Sequence, residues 1–246
     1  MIALIPARGG SKRVPRKNII PFFNHPLLAY TIAAAINSGL FNRIVVSTDD
    51  EEISDVAVSH GAEVIERPAE LANDQATLVD VTIHALEYLK VTPESVEAFC
   101  QLMPNCPLRL STDIRAQYEV FTTERRAFQI SAVPFRSMYP QWSLEMNDGG
   151  IGRWYFGEKY LTLSQELHPL VCPTGAIWWM RTREFFEQRR FYGDPFHVYL
   201  MDANRGLDID TQEDLELAEI LVRGLREKSG ASPLEPVSVG PAGART

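Results

Sequence analysis

"MIALIPARGGSKRVPRKN" (residues 1–18) sets a short apolar run directly before a loop with two glycines (Gly9, Gly10) and five cations (Arg8, Lys12, Arg13, Arg16, Lys17). Met1 to Pro6 reads as a buried strand. The Gly- and Pro-rich residues behind it read as a loop at that strand's carboxyl end. Glycines let backbone N–H groups approach an anion closely. Arg8 can grip phosphate oxygens in pairs, and Lys12 and Lys17 supply point charges. Pro15 and Pro21 stiffen the loop. Neither GxxxxGK[ST] nor GxGxxG is present, so the residues alone support either a phosphate-binding loop or a solvated basic turn.

Outward from this loop, strand and helix signals alternate. "HPLLAYTIAAAINSG" has Pro26 for a first turn and Gly39 for the position past the end. "RIVVSTD" is a strand up to Asp49. "DDEEISDVAVSHGA" is a helix with acids in its first turn and Gly61 at its end. "AEVIERP" is strand-like. "TLVDVTIHALEYLK" opens on the capping-box pair Thr77 and Asp80. "EAFCQLMP" is a strand, "STDIRAQYEVFTTER" a helix capped by Ser111, and "FQISAVPF" another strand. This alternation predicts βαβ units on a mainly parallel sheet, an α/β fold. Ligands of such sheets bind at the carboxyl ends of the strands. The basic loop, Asp49 and the segment from Pro104 to Arg109 are therefore expected along one edge.

The rhythm breaks near residue 136. Residues 137–172 are aromatic and turn-rich, with a hairpin turn expected at Asn147-Asp148-Gly149-Gly150. Tyr139, Trp142, Trp154, Tyr155 and Phe156 suit a partner subunit, a substrate lid or a local core. "GAIWWM", "HVYLMD" and "LDID" read as strands again. A helix capped by Thr211 and Asp214 closes the domain at about residue 228. Residues 229–246 are rich in Pro, Gly and Ser and are expected to be disordered.

The totals narrow the class. The chain has 246 residues, 45% of them hydrophobic, which allows one large domain with an insertion. Its net charge is −8, unlike that of a nucleic-acid binder. No run of 18 apolar residues and no signal-peptide pattern occurs, so no membrane association is expected. The three cysteines (Cys100, Cys106, Cys172) lack CxxC spacing and suggest a reduced, cytoplasmic protein. The five histidines show no ligand spacing.

Asp208 and Asp210, two apart on an extended segment, should share a face. Adjacent carboxylates repel unless a cation lies between them. Mg²⁺ takes one or two carboxylates plus phosphate and water oxygens. The bland alternative is a charged helix start. Arg67, after a strand, reads as a ligand contact or a surface arginine. Arg109, after the rigid Pro104-Asn105-Cys106-Pro107 turn, reads as an anion site or an ion-pair partner. Cys106 has no base beside it in sequence and is not read as a nucleophile.

"IPARGGSKRVPRKN", "RIVVSTDD", "RPAELANDQAT", "PNCPLR" and "LDIDTQEDLELAE" occur in this order. Together they resemble the CMP-sialic acid synthetase family, cytidylyltransferases that activate nonulosonic acids. The resemblance spans residues 2 to 222. Its Arg-x-x-Ser-Lys and Pro-x-Lys-Asn elements are closer to the sialic-acid branch than to the Kdo branch. It implies a Rossmann-like nucleotidyltransferase fold over residues 1–228, with helices on both faces and 137–172 as a dimerisation insertion. It implies that CMP passes from CTP to the C2 hydroxyl of a nine-carbon 2-keto sugar acid, with Mg²⁺ as cofactor. Arg8, Lys17 and Asp210 would be catalytic. Arg8, Gly9, Gly10, Ser11, Lys12, Lys17, Asn18, Arg67, Thr77 and Asn105 would bind the nucleotide. Gln101, Arg109 and Thr174 would meet the sugar, and Asp208 and Asp210 the metal. The sugar end departs from the sialic-acid pattern: Met103-Pro104-Asn105-Cys106 stands for Gln-Pro-Thr-Ser, and Cys172-Pro173-Thr174 for Arg-Pro-Asn. A different pattern of acyl groups and hydroxyls on the sugar acid is therefore expected. The rivals are a Kdo or other sugar nucleotidyltransferase, a glycosyltransferase using Asp208-Ile209-Asp210, and a nucleotide-binding protein without turnover.

Overall fold

The computed structural model describes residues 1–135 and 138–238. In chain order its strands are β1 (Ile2–Pro6), β2 (Pro21–Phe22), β3 (His25–Pro26), β4 (Arg43–Thr48), β5 (Glu63–Glu66), β6 (Ala98–Gln101), β7 (Phe128–Pro134), β8 (Leu144–Met146), β9 (Gly152–Trp154), β10 (Val171–Arg181) and β11 (Phe196–Leu200). The helices are α1 (Leu27–Ser38), α2 (Glu51–Ser59), α3 (Leu78–Tyr88), α4 (Ser111–Thr123), α5 (Thr182–Gln188) and α6 (Gln212–Ser229).

Seven strands form the central sheet in the order β11-β7-β10-β6-β1-β4-β5. All neighbours are parallel except β10, which runs antiparallel to β6 and β7. The pleat of β1 shows why both faces are covered. Ala3 and Ile5 pack with Leu28 and Ile32 of α1, Ile53 of α2 and Phe121 of α4. Ile2 and Leu4 pack with Ile83 and Leu86 of α3 and Phe185 of α5. A strand buried on both sides needs this continuous apolar run. The expected mainly parallel sheet with helices on both faces is the observed one.

A third cluster joins α6 to the site. Leu215, Ala218 and Val222 pack on Leu27, Tyr30, Leu108 and Ile209. Ile209 is fully buried, and its N–H donates to the Asn105 carbonyl at 2.8 Å. This side chain anchors the segment that carries Asp208 and Asp210. Residues 207–210 have no regular secondary structure and join no ladder, unlike the strand expected there.

Two ends differ from expectation. Ser111 does not cap α4; it is the first helical residue, and its N–H donates to Glu235 at 2.8 Å. Glu235 also accepts from the Asn37 side chain at 2.9 Å, and it and Leu234 are buried. The stretch just past α6 therefore docks on α1 and α4 instead of being disordered, because one carboxylate satisfies a helix-end donor. Residues 239–246 of that expected tail lie outside the described residues, as does Ser137 of the expected insertion.

The hairpin turn forms as expected: β8 pairs with β9, and Asn147 Oδ1 accepts from the N–H groups of Gly149 and Ile151. Leu144, Met146, Ile151, Tyr155 and Phe156 on this hairpin and its flanks are exposed.

Candidate active site

The loop after β1 folds back over the strand ends through four contacts. Gly9 N–H donates to Asp49 Oδ1 at 3.0 Å, and Asn18 Nδ2 donates to the Arg8 carbonyl at 2.9 Å. Val14 is buried beneath the loop. Arg16, in the left-handed region at φ 58°, reaches both oxygens of Asp50 and also Glu52. Asp50 caps α2 through Ile53 N–H at 3.0 Å. The Arg16 guanidinium holds the Asp50 carboxyl below its ordinary range. A Cβ on Gly9 would lie 2.6 Å from Asp50 Oδ2, so glycine is required there by a close approach. Gly10 meets nothing within 4 Å. The Gly9 N–H is already committed to Asp49, and neither glycine lines the cleft described next.

That cleft, of about 580 Å³, opens at the carboxyl ends of β1 and β6. Arg8, Ser11, Lys12, Arg13, Lys17 and Asn18 line one side, and Asn105, Thr174, Asp208 and Asp210 also face it. Six of the ten nucleotide-binding residues expected from sequence thus converge here (Arg8, Ser11, Lys12, Lys17, Asn18, Asn105), with both metal-binding aspartates. Its far wall is Pro173, Gly175, Trp178 and Tyr192.

Each pocket cation is paired with an aspartate, two cations to each carboxylate. Lys17 Nζ lies 2.8 Å from Asp210 Oδ1 and Arg13 3.1 Å from Oδ2. Asn105 Nδ2 adds a donor at 3.2 Å. Arg8 and Lys12 share Asp74. Burial pushes the Asp210 carboxyl up, but Lys17 and Arg13 outweigh it and hold it below its ordinary value. Asp208 goes the other way. Burial raises it, and hydrogen bonds from Cys106 and Gly175 offset this only in part. Burial, with the Asp208 charge alongside, keeps the Cys106 thiol protonated, well above its usual value; it is no nucleophile.

A smaller adjoining cleft of about 260 Å³ is lined by Arg8, Arg67, Asp74, Leu78 and Met103. Arg67 is buried, and its guanidinium donates to the Ser47 carbonyl at 2.7 Å and the Ser47 hydroxyl at 3.2 Å. The arginine is fixed by the end of β4 and is not a surface residue. Thr77 is spent as the cap of α3, accepting from Asp80 N–H at 3.1 Å, and lines neither cleft. The capping box expected of Thr77 and Asp80 is the observed one.

Two expected sugar contacts also change. Gln101 is fully buried and accepts from the Thr82 hydroxyl at 2.6 Å. Arg109 is fully buried and donates to the carbonyls of Met103 and Ala176 and the hydroxyl of Thr31. It ties the turn after β6 to β10 and α1 beneath the cleft. Burial lowers its pKa, yet a guanidinium stays charged. Of the three expected sugar residues, only Thr174 lines the cleft. Tyr192, Trp178, Arg13 and Asp74 were not assigned to the site from sequence. Arg13 was legible as one of the loop cations. Asp74 was legible as part of the "RPAELANDQAT" motif, whereas Tyr192 sits in a bend with no motif around it.

Among the described residues no three His, Cys, Asp or Glu side chains form a metal-binding group. A cation held by Asp208 and Asp210 would need further oxygens from substrate and water, which suits Mg²⁺. Among the described residues no helix is long and apolar enough to cross a membrane.

A family profile described as cytidylyltransferase matches residues 2–132. A pseudaminic acid cytidylyltransferase of Campylobacter jejuni (strain 81-176) is 35% identical over 224 residues, covering 90% of this chain and 96% of that one. An N-acylneuraminate cytidylyltransferase of Escherichia coli O18:K1:H7 is 34% identical over 218 residues, covering 89% of this chain and 51% of that longer protein. A CMP-N,N'-diacetyllegionaminic acid synthase of Legionella pneumophila is 31% identical over 226 residues, covering 90% of this chain and 96% of that one. The solved structure of CMP:2-keto-3-deoxy-manno-octonic acid synthetase with CTP has a TM-score of 0.66 at 15% identity and covers 91% of this chain, so the fold is shared. The fold and the cleft define a nucleotidyltransferase. The chain belongs to the cytidylyltransferase family, and the Campylobacter jejuni and Legionella relatives matched over almost their full length are named for pseudaminic and diacetyllegionaminic acid.

Proposed function

We propose that this chain is a CMP-nonulosonate synthetase, transferring CMP from CTP to the C2 hydroxyl of a nonulosonic acid and releasing pyrophosphate. The carrying observation is that one cleft unites four loop cations, two aspartates and an uncharged aromatic wall. The C2 oxygen forms a bond to the α-phosphorus while the bond from that phosphorus to its bridging oxygen breaks. The electron pair leaves with pyrophosphate, and the proton of the C2 hydroxyl goes to a base. The cleft lining contains no histidine, and a lysine, a carboxylate or metal-bound hydroxide remains for that proton.

Positioning and charge neutralisation dominate such transfers. Arg8, Lys12, Arg13 and Lys17 would exchange their aspartate partners for phosphate oxygens. Asn18 holds the loop through the Arg8 carbonyl. Arg67, fixed by β4, would lie beside the nucleoside. Asp208 and Asp210 would hold Mg²⁺, which when bound lowers the charge barrier on the phosphates and stabilises the leaving group. Thr174, Trp178 and Tyr192 would meet the sugar acid. A mostly uncharged wall favours a nonulosonic acid rich in acyl groups, and pseudaminic acid is the first candidate on the strength of the Campylobacter relative.

The exposed apolar hairpin region suits a second copy of this chain, making a homodimer; a monomer by light scattering at micromolar concentration would exclude it. Free cysteines and a CTP substrate suit the cytoplasm. The decisive test is pyrophosphate release from CTP and Mg²⁺ across pseudaminic, legionaminic, sialic and Kdo acids, with Asp210→Ala as control. Release with one acid, lost in the control, supports the assignment. Bound CTP without release for any acid overturns its sugar end.

A further inference from the structure

Asp208 and Asp210 are held by different chemistry. Asp210 meets two cations and an amide. Asp208 meets neutral donors: Gly175 N–H lies 3.3 Å from Oδ1 and 3.1 Å from Oδ2, and Cys106 Sγ lies 2.6 Å from Oδ1. Cys106 is fully buried, between Asn105 and Pro107 in the rigid turn after β6. The same turn receives Ile209 N–H on its Asn105 carbonyl at 2.8 Å. Turn and aspartate segment are thus joined three times: through backbone at Ile209, through the Asn105 amide at Asp210, and through the thiol at Asp208.

We infer that Cys106 is a positioning residue for the metal reaction, its S–H holding the Asp208 carboxylate in the one orientation that presents its remaining lone pairs to the cleft. The inference rests on the Mg²⁺ site proposed above. Arg109 acts on Asp208 only through its charge and makes no hydrogen bond to it, so the carboxylate is free to turn about its last torsion unless a neutral donor fixes it. The Gly175 N–H faces both oxygens and so restrains that torsion weakly. The thiol faces one oxygen only and selects it. The thiol lies behind Asp208 and has no opening to the cleft, so it touches neither substrate nor metal. Partners that orient a ligand in this way typically change metal affinity by about 10- to 100-fold when removed. A thiol is a weak donor, so the lower end is expected.

The test uses the full chain with CTP and Mn²⁺ as probe, reading free Mn²⁺ by electron paramagnetic resonance. Cys106→Ala should raise the Mn²⁺ dissociation constant by about tenfold and raise the Mg²⁺ concentration at half-maximal rate in step. The KM for CTP at saturating metal should stay unchanged. Cys106→Ser, which keeps a donor, should return both to within about twofold of the parent. Circular dichroism confirms that each variant is folded. Equal Mn²⁺ affinity in all three proteins would overturn the inference, since the thiol would then only fill space. Equal weakening in Ala and Ser would also overturn it, because volume and not the donor would matter. If the unchanged protein binds CTP but no Mn²⁺, the metal assignment itself falls and this inference with it.

Discussion

The two ends of the cleft are built by different rules. At the β1 loop end, every charged group is paired before any ligand arrives: Lys17 and Arg13 with Asp210, Arg8 and Lys12 with Asp74, Arg16 with Asp50. At the other end stand Pro173, Thr174, Trp178 and Tyr192, with no charged side chain among them. The first end offers exchange of one anion for another, which tolerates many sugars. The second offers shape, and discriminates by fit. On the proposed function, reaction type would belong to the loop end and substrate choice to the aromatic end.

The comparison can be broken at either end, beginning with the largest effect. Asp210→Ala should reduce kcat for pyrophosphate release by on the order of 10³, as expected when a group stabilising transition-state charge is removed; a loss under tenfold would move the chemistry elsewhere. Arg109→Ala tests whether that arginine belongs to either end. It should destabilise the fold by about 3 kcal/mol, through a cavity and freed carbonyl and hydroxyl groups. Thermal unfolding reads this, and a rise in sugar KM with unchanged stability would return Arg109 to the sugar site. Tyr192→Ala should raise the KM for the sugar acid by about tenfold and leave that for CTP unchanged, the range for one lost wall of a pocket. A change in both would merge the two ends.

Asp74→Asn should lower the KM for CTP by less than about fivefold, since the exposed pairs it breaks are weak; a higher KM would mean that Asp74 touches the nucleotide. The smallest effect concerns the loop's foundation. Arg16 lowers the Asp50 carboxyl, so its contribution is fully present above the unfolded value of about 3.9 and is lost as pH falls through the lower folded one. Asp50→Asn, which keeps a capping oxygen, should cost under about 1 kcal/mol at pH 7. The difference from the parent should vanish below about pH 3 in thermal melts.

Much of the loop end was legible because its chemistry is contiguous. Residues 8–18 carry their charges side by side, and Asp208 and Asp210 share one short segment. The sugar end was not, because its wall comes from β10 and from Tyr192, which lies 18 residues beyond Thr174 with all of α5 between them. Arg109 and Gln101 were misplaced for a related reason. A polar residue at a strand end looks available in sequence, and only packing shows that its donors or acceptors are already satisfied indoors.

The sequence by itself determined the alternation of strands and helices, the parallel sheet, the basic loop and the aspartate pair, since periodicity, caps and charge act over a few residues. Only the tertiary structure decided which of those polar groups face the cleft. It spent the Gly9 N–H on Asp49, sank Arg109 beneath the floor and set a thiol behind Asp208. The physical reason is that a buried polar group must find a partner wherever the fold brings one, and that partner lies 40 residues away for the Gly9 N–H and 102 for the Cys106 thiol.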